Sequence, residues 1–183
     1  MKSVFSLLIG LALSLHLSRG AAAAGTNLEL FSGKKWTFYP GYEFPGAKGS
    51  LRLEKVDDKD ALIVAYDFSG GGAYVAAKTP LEILEGATAL RFNVKADRKH
   101  KLVLRLVDST KQTLQWELRY DQPDQWQQVE IPLAGPVKAH FGGQNDGVIH
   151  FPVVELSVGV AKSGLGSAGA PGEVSMAEAY LDK

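Results

Sequence analysis

The sequence predicts an all-β fold, an antiparallel β-sandwich of about ten strands, and three observations carry that prediction. Apolar and polar residues alternate at period two along nearly the whole chain after residue 25, and no long segment follows the helical period. The alternating runs are short and broken by turn-forming clusters at Gly70–Gly72, Asp57–Asp60, Asp108–Lys111 and Gln122–Asp124, which suit strand-to-strand links. Cysteine is absent, so the domain must hold itself by burying one greasy face of each strand, as two sheets packed face to face do.

The elements follow in order. Lys2, an apolar run from Val4 to Leu17, Arg19 and Ala21–Ala24 have the layout of a secretory signal peptide. The run is 14 residues long and contains His16, too short for a bilayer-crossing helix. Residues 1–24 are therefore expected to be a signal peptide, and residues 25–183 a single domain, secreted or periplasmic. Strands are expected at Leu28–Phe31, Leu51–Val56, Leu62–Phe68, Ala73–Lys78, Thr88–Ala96, Lys101–Asp108, Thr113–Tyr120, Trp126–Leu133, Val154–Val160 and Val174–Leu181. In the clearest, Leu102, Leu104 and Leu106 oppose Lys101, Val103, Arg105 and Val107. In the next, Leu114, Trp116, Leu118 and Tyr120 oppose Gln115, Glu117 and Arg119. Leu81–Glu85 is read as at most one turn of helix.

Two connections are longer. Trp36–Ser50 packs five aromatics among Pro and Gly, and Gly135–Pro152 carries His140, His150, Gly142-Gly143 and Asn145-Asp146-Gly147. Loops of this length are functional or disordered, and aromatic content argues against disorder. Lys162–Gly172, rich in Gly, Ala and Ser, is expected to be a flexible connection.

Composition removes several function classes. The 183 residues include 20 basic and 20 acidic ones, and without Lys2 and Arg19 the net charge is −2. With no basic cluster beyond Arg98–Lys101, nucleic acid is not an expected partner. No second apolar stretch is long enough to span a membrane. The lack of cysteine excludes a disulfide framework, a thiol nucleophile, a cysteine zinc site and a lipoprotein anchor. A domain of about 160 residues can still be stable on its core alone, since it buries roughly 68–70% of its unfolded surface. An exported chain without cysteine points to a bacterial periplasm or medium.

Catalytic signals are weak. Glycoside hydrolysis needs two carboxylates across a cleft, but Glu117, Glu130 and Glu155 read as solvated cross-strand partners of Arg and Lys. No G-x-S-x-G elbow occurs, and Gly70–Gly72 is not followed by the Lys-Ser/Thr of a phosphate loop. His140, His150 and Asp146 could ligate zinc, but their spacing fits no established pattern, and turn bracing is the preferred reading. His100, in a charged turn, is expected to be solvated. Trp116 and Trp126 read as structural. Tyr74 differs, because it alternates with Gly72, Ala76 and Lys78 and so falls on the polar side of its strand. A flat ring there can stack on the apolar face of a sugar. Asn93, Arg105, Gln115 and Glu117 face outward by the same alternation and could bond hydroxyls.

These segments together resemble the carbohydrate-binding modules of the galactose-binding-like jelly-roll group, particularly those at the N-termini of secreted bacterial glycoside hydrolases. The resemblance covers nearly all of the chain after the leader. It rests mainly on Trp36 with Glu43–Gly49, on Tyr66–Val75, and on Gly142–Gly147 with His150; Leu104–Asp108 and Trp126–Leu133 add minor support. It implies a ten-strand jelly roll whose ligand site lies on one concave sheet or in its rim loops. Tyr74 and Arg105 would belong to the sheet, and Glu43, Asn145, Asp146 and His150 to the two long loops. The loop residues have an equal architectural reading, with Asn-Asp-Gly bracing a turn and Glu43 pairing Lys48. The group often carries a structural calcium near its first and last strands. Here Ser32 and Ala177 stand where carboxylates are usual, leaving Glu178 and carbonyls, so neither a calcium nor any other cofactor is assigned. A related sandwich family assembles a respiratory complex, and the leader argues against that role.

The expected function is that of a secreted non-catalytic module that binds polysaccharide or oligosaccharide and targets an associated glycoside hydrolase to its substrate. The alternative is a protein-docking sandwich with no glycan ligand. No catalytic residue and no metal ligand are assigned.

Overall fold

In the computed structural model, which describes residues 25–33, 35–165 and 169–183, every long alternating run becomes a strand. The expected signal peptide at 1–24 and the middle of the Gly/Ala/Ser-rich connection lie outside the described residues. Among the described residues twelve strands form: β1 Thr26–Leu28, β2 Thr37–Tyr39, β3 Lys48–Val56, β4 Lys59–Asp67, β5 Tyr74–Ile83, β6 Ala89–Ala96, β7 His100–Asp108, β8 Thr113–Tyr120, β9 Gln127–Pro132, β10 Ala139–Phe141, β11 Val153–Ala161 and β12 Gly172–Asp182.

They make two antiparallel sheets. One runs β3-β4-β12-β6-β9, with β1 also on β12; the other runs β10-β8-β7-β11-β5-β2. The β3–β4 and β7–β8 hairpins stay within a sheet, while most other connections cross between sheets, as a jelly roll requires. Asp57 and Asp58, both at positive φ, form the two-residue turn that sets Val56 opposite Lys59.

The core lies between the sheets and follows the alternation. Leu62, Val64 and Tyr66 of β4 and Leu90, Phe92 and Val94 of β6 meet Leu102, Leu104 and Leu106 of β7 and Leu156, Val158 and Val160 of β11, all essentially buried. Each large apolar side chain removed from water there contributes roughly 1.5–3 kcal/mol. The alternation leaves the opposite face of the second sheet outside the core.

The structure departs from the sequence reading in four places. Two short strands, β2 and β10, arise inside the long connections, bringing the count to twelve rather than ten. The first strand lies at Thr26–Leu28, not Leu28–Phe31; Leu30 and Phe31 leave the ladder and plug the core edge, where Phe31 stacks on Trp36 at 5.8 Å. Leu81–Glu85 is not a helical turn, because Leu81 and Ile83 continue β5 at period two with Glu82 exposed between them. His100 is not solvated but 3% exposed.

His100 sits on the inward face of β7, with its Nδ1 2.7 Å from the Arg98 carbonyl and its Nε2 2.7 Å from the Tyr66 hydroxyl. A carbonyl only accepts, so Nδ1 carries the proton and the tyrosine donates to Nε2. Burial holds the imidazole below its ordinary value of 6.5. As pH falls below 6.5, the unfolded chain takes up this proton before the folded one does, so stability present at neutral pH is lost in acid. Thermal unfolding at pH 7.5 and 5.0 should show a larger acid loss for the native protein than for His100→Gln, which has no titrating group at this position.

Candidate functional site

The outward face of the second sheet carries the candidate site. Strand register sets Lys78, Ser157, Arg105 and Gln115 in one row across β5, β11, β7 and β8. The neighbouring row holds Glu155, Val107, Thr113 and Phe141. On the other side Ala76 and Gly159 are paired, and the Arg105 side chain reaches Tyr74. The result is an open depression of about 190 Å³, lined by Tyr39, Glu43, Tyr74, Lys78, Arg105 and Phe141 among others.

Three of the six residues expected from sequence meet here. The Tyr74 hydroxyl donates to Glu43 Oε1 at 2.7 Å, and Arg105 Nη1 donates to that hydroxyl at 3.2 Å. Arg105 Nε also donates to Gln115 Oε1 at 2.8 Å, which gives the guanidinium a second anchor. Glu43 accepts a second bond from the Tyr39 hydroxyl at 3.1 Å, so it is turned to tyrosines and not to Lys48. The Tyr74 bond, its own backbone N–H and the Tyr39 bond together hold the Glu43 carboxyl below the usual carboxylate range. Desolvation, then the neighbouring Glu43, push the Tyr74 hydroxyl above its ordinary value.

Tyr74 lies on the expected face but is only 8% exposed. Tyr39 stacks on it at 6.3 Å, Phe44 meets it edge-on at 6.5 Å and the Arg105 guanidinium lies 4.9 Å from its ring centre. The open aromatics are instead Tyr42, Phe44 and Phe141. Sequence reading missed Tyr39 and Phe141 because they stand on three-residue strands with too little alternation to recognise.

The loop bearing Glu43 is fixed by close backbone approach. Gly46, at φ +117°, lies so near Gly70 that a Cβ would stand 2.2 Å from the Gly70 carbonyl oxygen, a position only glycine can fill. The Glu43–Gly49 segment and the Gly70–Gly72 run are thus two halves of one contact, which clamps Glu43 over the start of β5.

Asn145, Asp146 and His150 gather elsewhere, in the connection between β10 and β11. Asp146 accepts from the Val148 N–H at 3.0 Å and from Gln112 Nε2 at 3.2 Å, and contacts His150 Nε2 at 2.9 Å. The Val148 bond, then His150, bring its carboxyl down to about 2. Asn145 Oδ1 lies 3.0 Å from His140 Nδ1. Beneath them Asp108, fully buried, accepts from Thr110 N and Oγ1, Gln112 N and the His150 N–H, at 2.7–3.1 Å. Burial pushes the Asp108 carboxyl up, but these bonds outweigh it and the net displacement is downward.

No three His, Cys, Asp or Glu side chains among the described residues are placed to hold a metal ion. Glu117 pairs with Lys101 at 2.9 Å and Glu130 with Arg91 at 2.8 Å, the cross-strand pairs the sequence suggests.

No protein-family model and no curated sequence matches the chain. Among solved structures, it is similar to a family 11 carbohydrate-binding module from Clostridium thermocellum in complex with a β-1,3-1,4-mixed-linked tetrasaccharide. That pair shares 15% identity over 88% of this chain and 97% of the other, with a TM-score of 0.64. The family 11 module of a cellulosomal cellulase of the same organism matches at 15% identity, 88% and 96% coverage and a TM-score of 0.62. An exo-β-agarase matches at 12% identity over 86% of this chain with a TM-score of 0.55, and the chain spans 25% of its length. At such identities the likeness is one of fold. The chain has the jelly-roll β-sandwich seen in carbohydrate-binding modules, as the resemblance implies.

Asp108→Ala removes the shared acceptor of the loop network and leaves several N–H groups without a partner. It should cost about 3 kcal/mol, a fall of roughly 6–12 °C in thermal unfolding. Preserved stability would mean that this loop is held by other contacts.

Proposed function

We propose that the chain is an exported, non-catalytic carbohydrate-binding module that holds a glycan on the outward face of its second sheet and brings a glycoside hydrolase to its substrate. The observation that carries this reading is the meeting of Tyr39, Tyr74 and Phe141 with Arg105 and Glu43 in one open depression, with Gln115 bonded to Arg105. A sugar ring presents apolar C–H faces to aromatic rings and hydroxyls to planar guanidinium, carboxylate and amide groups. The Tyr74, Glu43 and Arg105 bonds already fix these groups in the free protein, which lowers the ordering cost of binding. The fold likeness supports the same class of ligand, and the mixed-linked tetrasaccharide of one such module makes soluble β-glucan the first polymer to try. Export rests on the leader expected at residues 1–24, and agarose-type polymers join the panel through the exo-β-agarase likeness.

A second reading, a docking module for a protein partner, is favoured by Tyr42 at 73% and Phe44 at 53% exposed beside the depression.

Affinity electrophoresis through soluble β-glucan, agarose and other polysaccharides tests the choice. Arg105→Ala should weaken retention by about 10- to 100-fold, the worth of charge-assisted hydrogen bonds. Tyr74→Phe, which keeps the buried ring, should weaken it by about 5-fold. Asp146→Asn, outside the depression, should leave retention unchanged. If no polymer retards the native protein, the docking reading takes its place.

A further inference from the structure

The group that the chain resembles often carries a calcium ion near its first and last strands, and the residues present here do not fit one. A hard cation takes six to eight oxygens. Glu29, Asp57, Asp58, Asp60 and Glu178 do line one cavity of about 390 Å³ beside β1, the β3–β4 turn and β12. Two are paired with lysines outside its lining, Asp57 with Lys95 at 2.6 Å and Asp60 with Lys55 at 3.0 Å, while Glu29 accepts from Ser32 within it at 3.1 Å.

Glu178 occupies a special place in the ladder. β12 pairs with β4 up to Ala177 and with β1 from Ala179, while its register with β6 slips between Ala177 and Tyr180. Glu178 is the residue between, at φ 51°, a left-handed conformation that persists in a non-glycine residue only where its surroundings hold it. The holding contacts are visible. Lys59 Nζ, from the first residue of β4, lies 2.5 Å from Oε1, and Asn93 Nδ2 of β6 donates to Oε2 at 2.6 Å. Lys59 is the one cation among the described residues lining that cavity.

We infer that Lys59 is a built-in cation: its ammonium fixes Glu178 at the point where β12 exchanges β4 for β1, and the domain takes no divalent ion there. An ammonium in contact with Oε1, with the other oxygen bonded to Asn93, leaves a metal at Glu178 facing a like charge at close range. The strand exchange is locked by the chain's own lysine, so the fold does not depend on external calcium.

Thermal unfolding of the purified protein tests this directly. Neither excess chelator nor millimolar calcium chloride should move the native midpoint by more than about 1 °C, since an ion that binds the folded state would raise it. Lys59→Met, which keeps the aliphatic stem and removes the charge, should lower the midpoint by about 2–4 °C. Lys59→Met with Glu178→Gln should recover most of that loss, because the uncompensated carboxylate is gone. A native midpoint that drops by several degrees in chelator would overturn the inference. A double variant as unstable as the single one would do so too, by assigning the loss to packing. If Lys59→Met alone fails to fold, the chelator and calcium arms on the native protein decide.

Discussion

Everything in this molecule depends on one constraint: each strand must bury one face, and only one, between two sheets. With no disulfide available, the interlocked rows of β4, β6, β7 and β11 supply the cohesion. The same alternation that sends Leu102, Leu104 and Leu106 inward sends Val103, Arg105 and Val107 outward. The candidate site is therefore a consequence of the core: its floor is the reverse side of the best-packed strands, which makes it rigid without any dedicated scaffold.

On that floor, position is refined by hydrogen bonds between distant parts of the chain. Glu43 comes from a loop, Tyr74 from the start of β5 and Arg105 from the middle of β7, and each limits the others' freedom. The glycine contact between Gly46 and Gly70 secures the loop. Asp108 plays the corresponding part beside the depression, where it gathers the β7–β8 turn and the connection after β10. The two centres are separate. One presents its polar groups to the depression, and the other spends them within the protein.

Much of this was legible in the chain. Period two revealed the strands, the sandwich and the outward placement of Tyr74 and Arg105, because side-chain direction in a strand is a local property. Even His100 shares the inward phase of Leu102 and Leu104, and its charged neighbours masked that phase. What could not be read depends on long-range pairing. β2 and β10 have three residues each, so Tyr39 and Phe141 acquire a face only once β5 and β8 are beside them. The covering of Tyr74 by Tyr39 and Phe44, and the bond that Glu43 accepts from a residue 31 positions away, exist only in the folded chain. Leu30 and Phe31 show the converse limit, since an apolar run can plug a core as readily as it can continue a ladder.

We propose that the outward face of the second sheet holds a glycan. The most direct measurement is a nuclear magnetic resonance titration of the isotope-labelled protein with mixed-linked β-glucan oligosaccharides and the other glycans of the panel. A glycan held there should produce saturable shifts at Tyr39, Tyr74, Arg105, Gln115 and Phe141, with the first sheet unmoved. Shifts confined to the loop around Asn145 and Asp146, or none with any glycan, would contradict it.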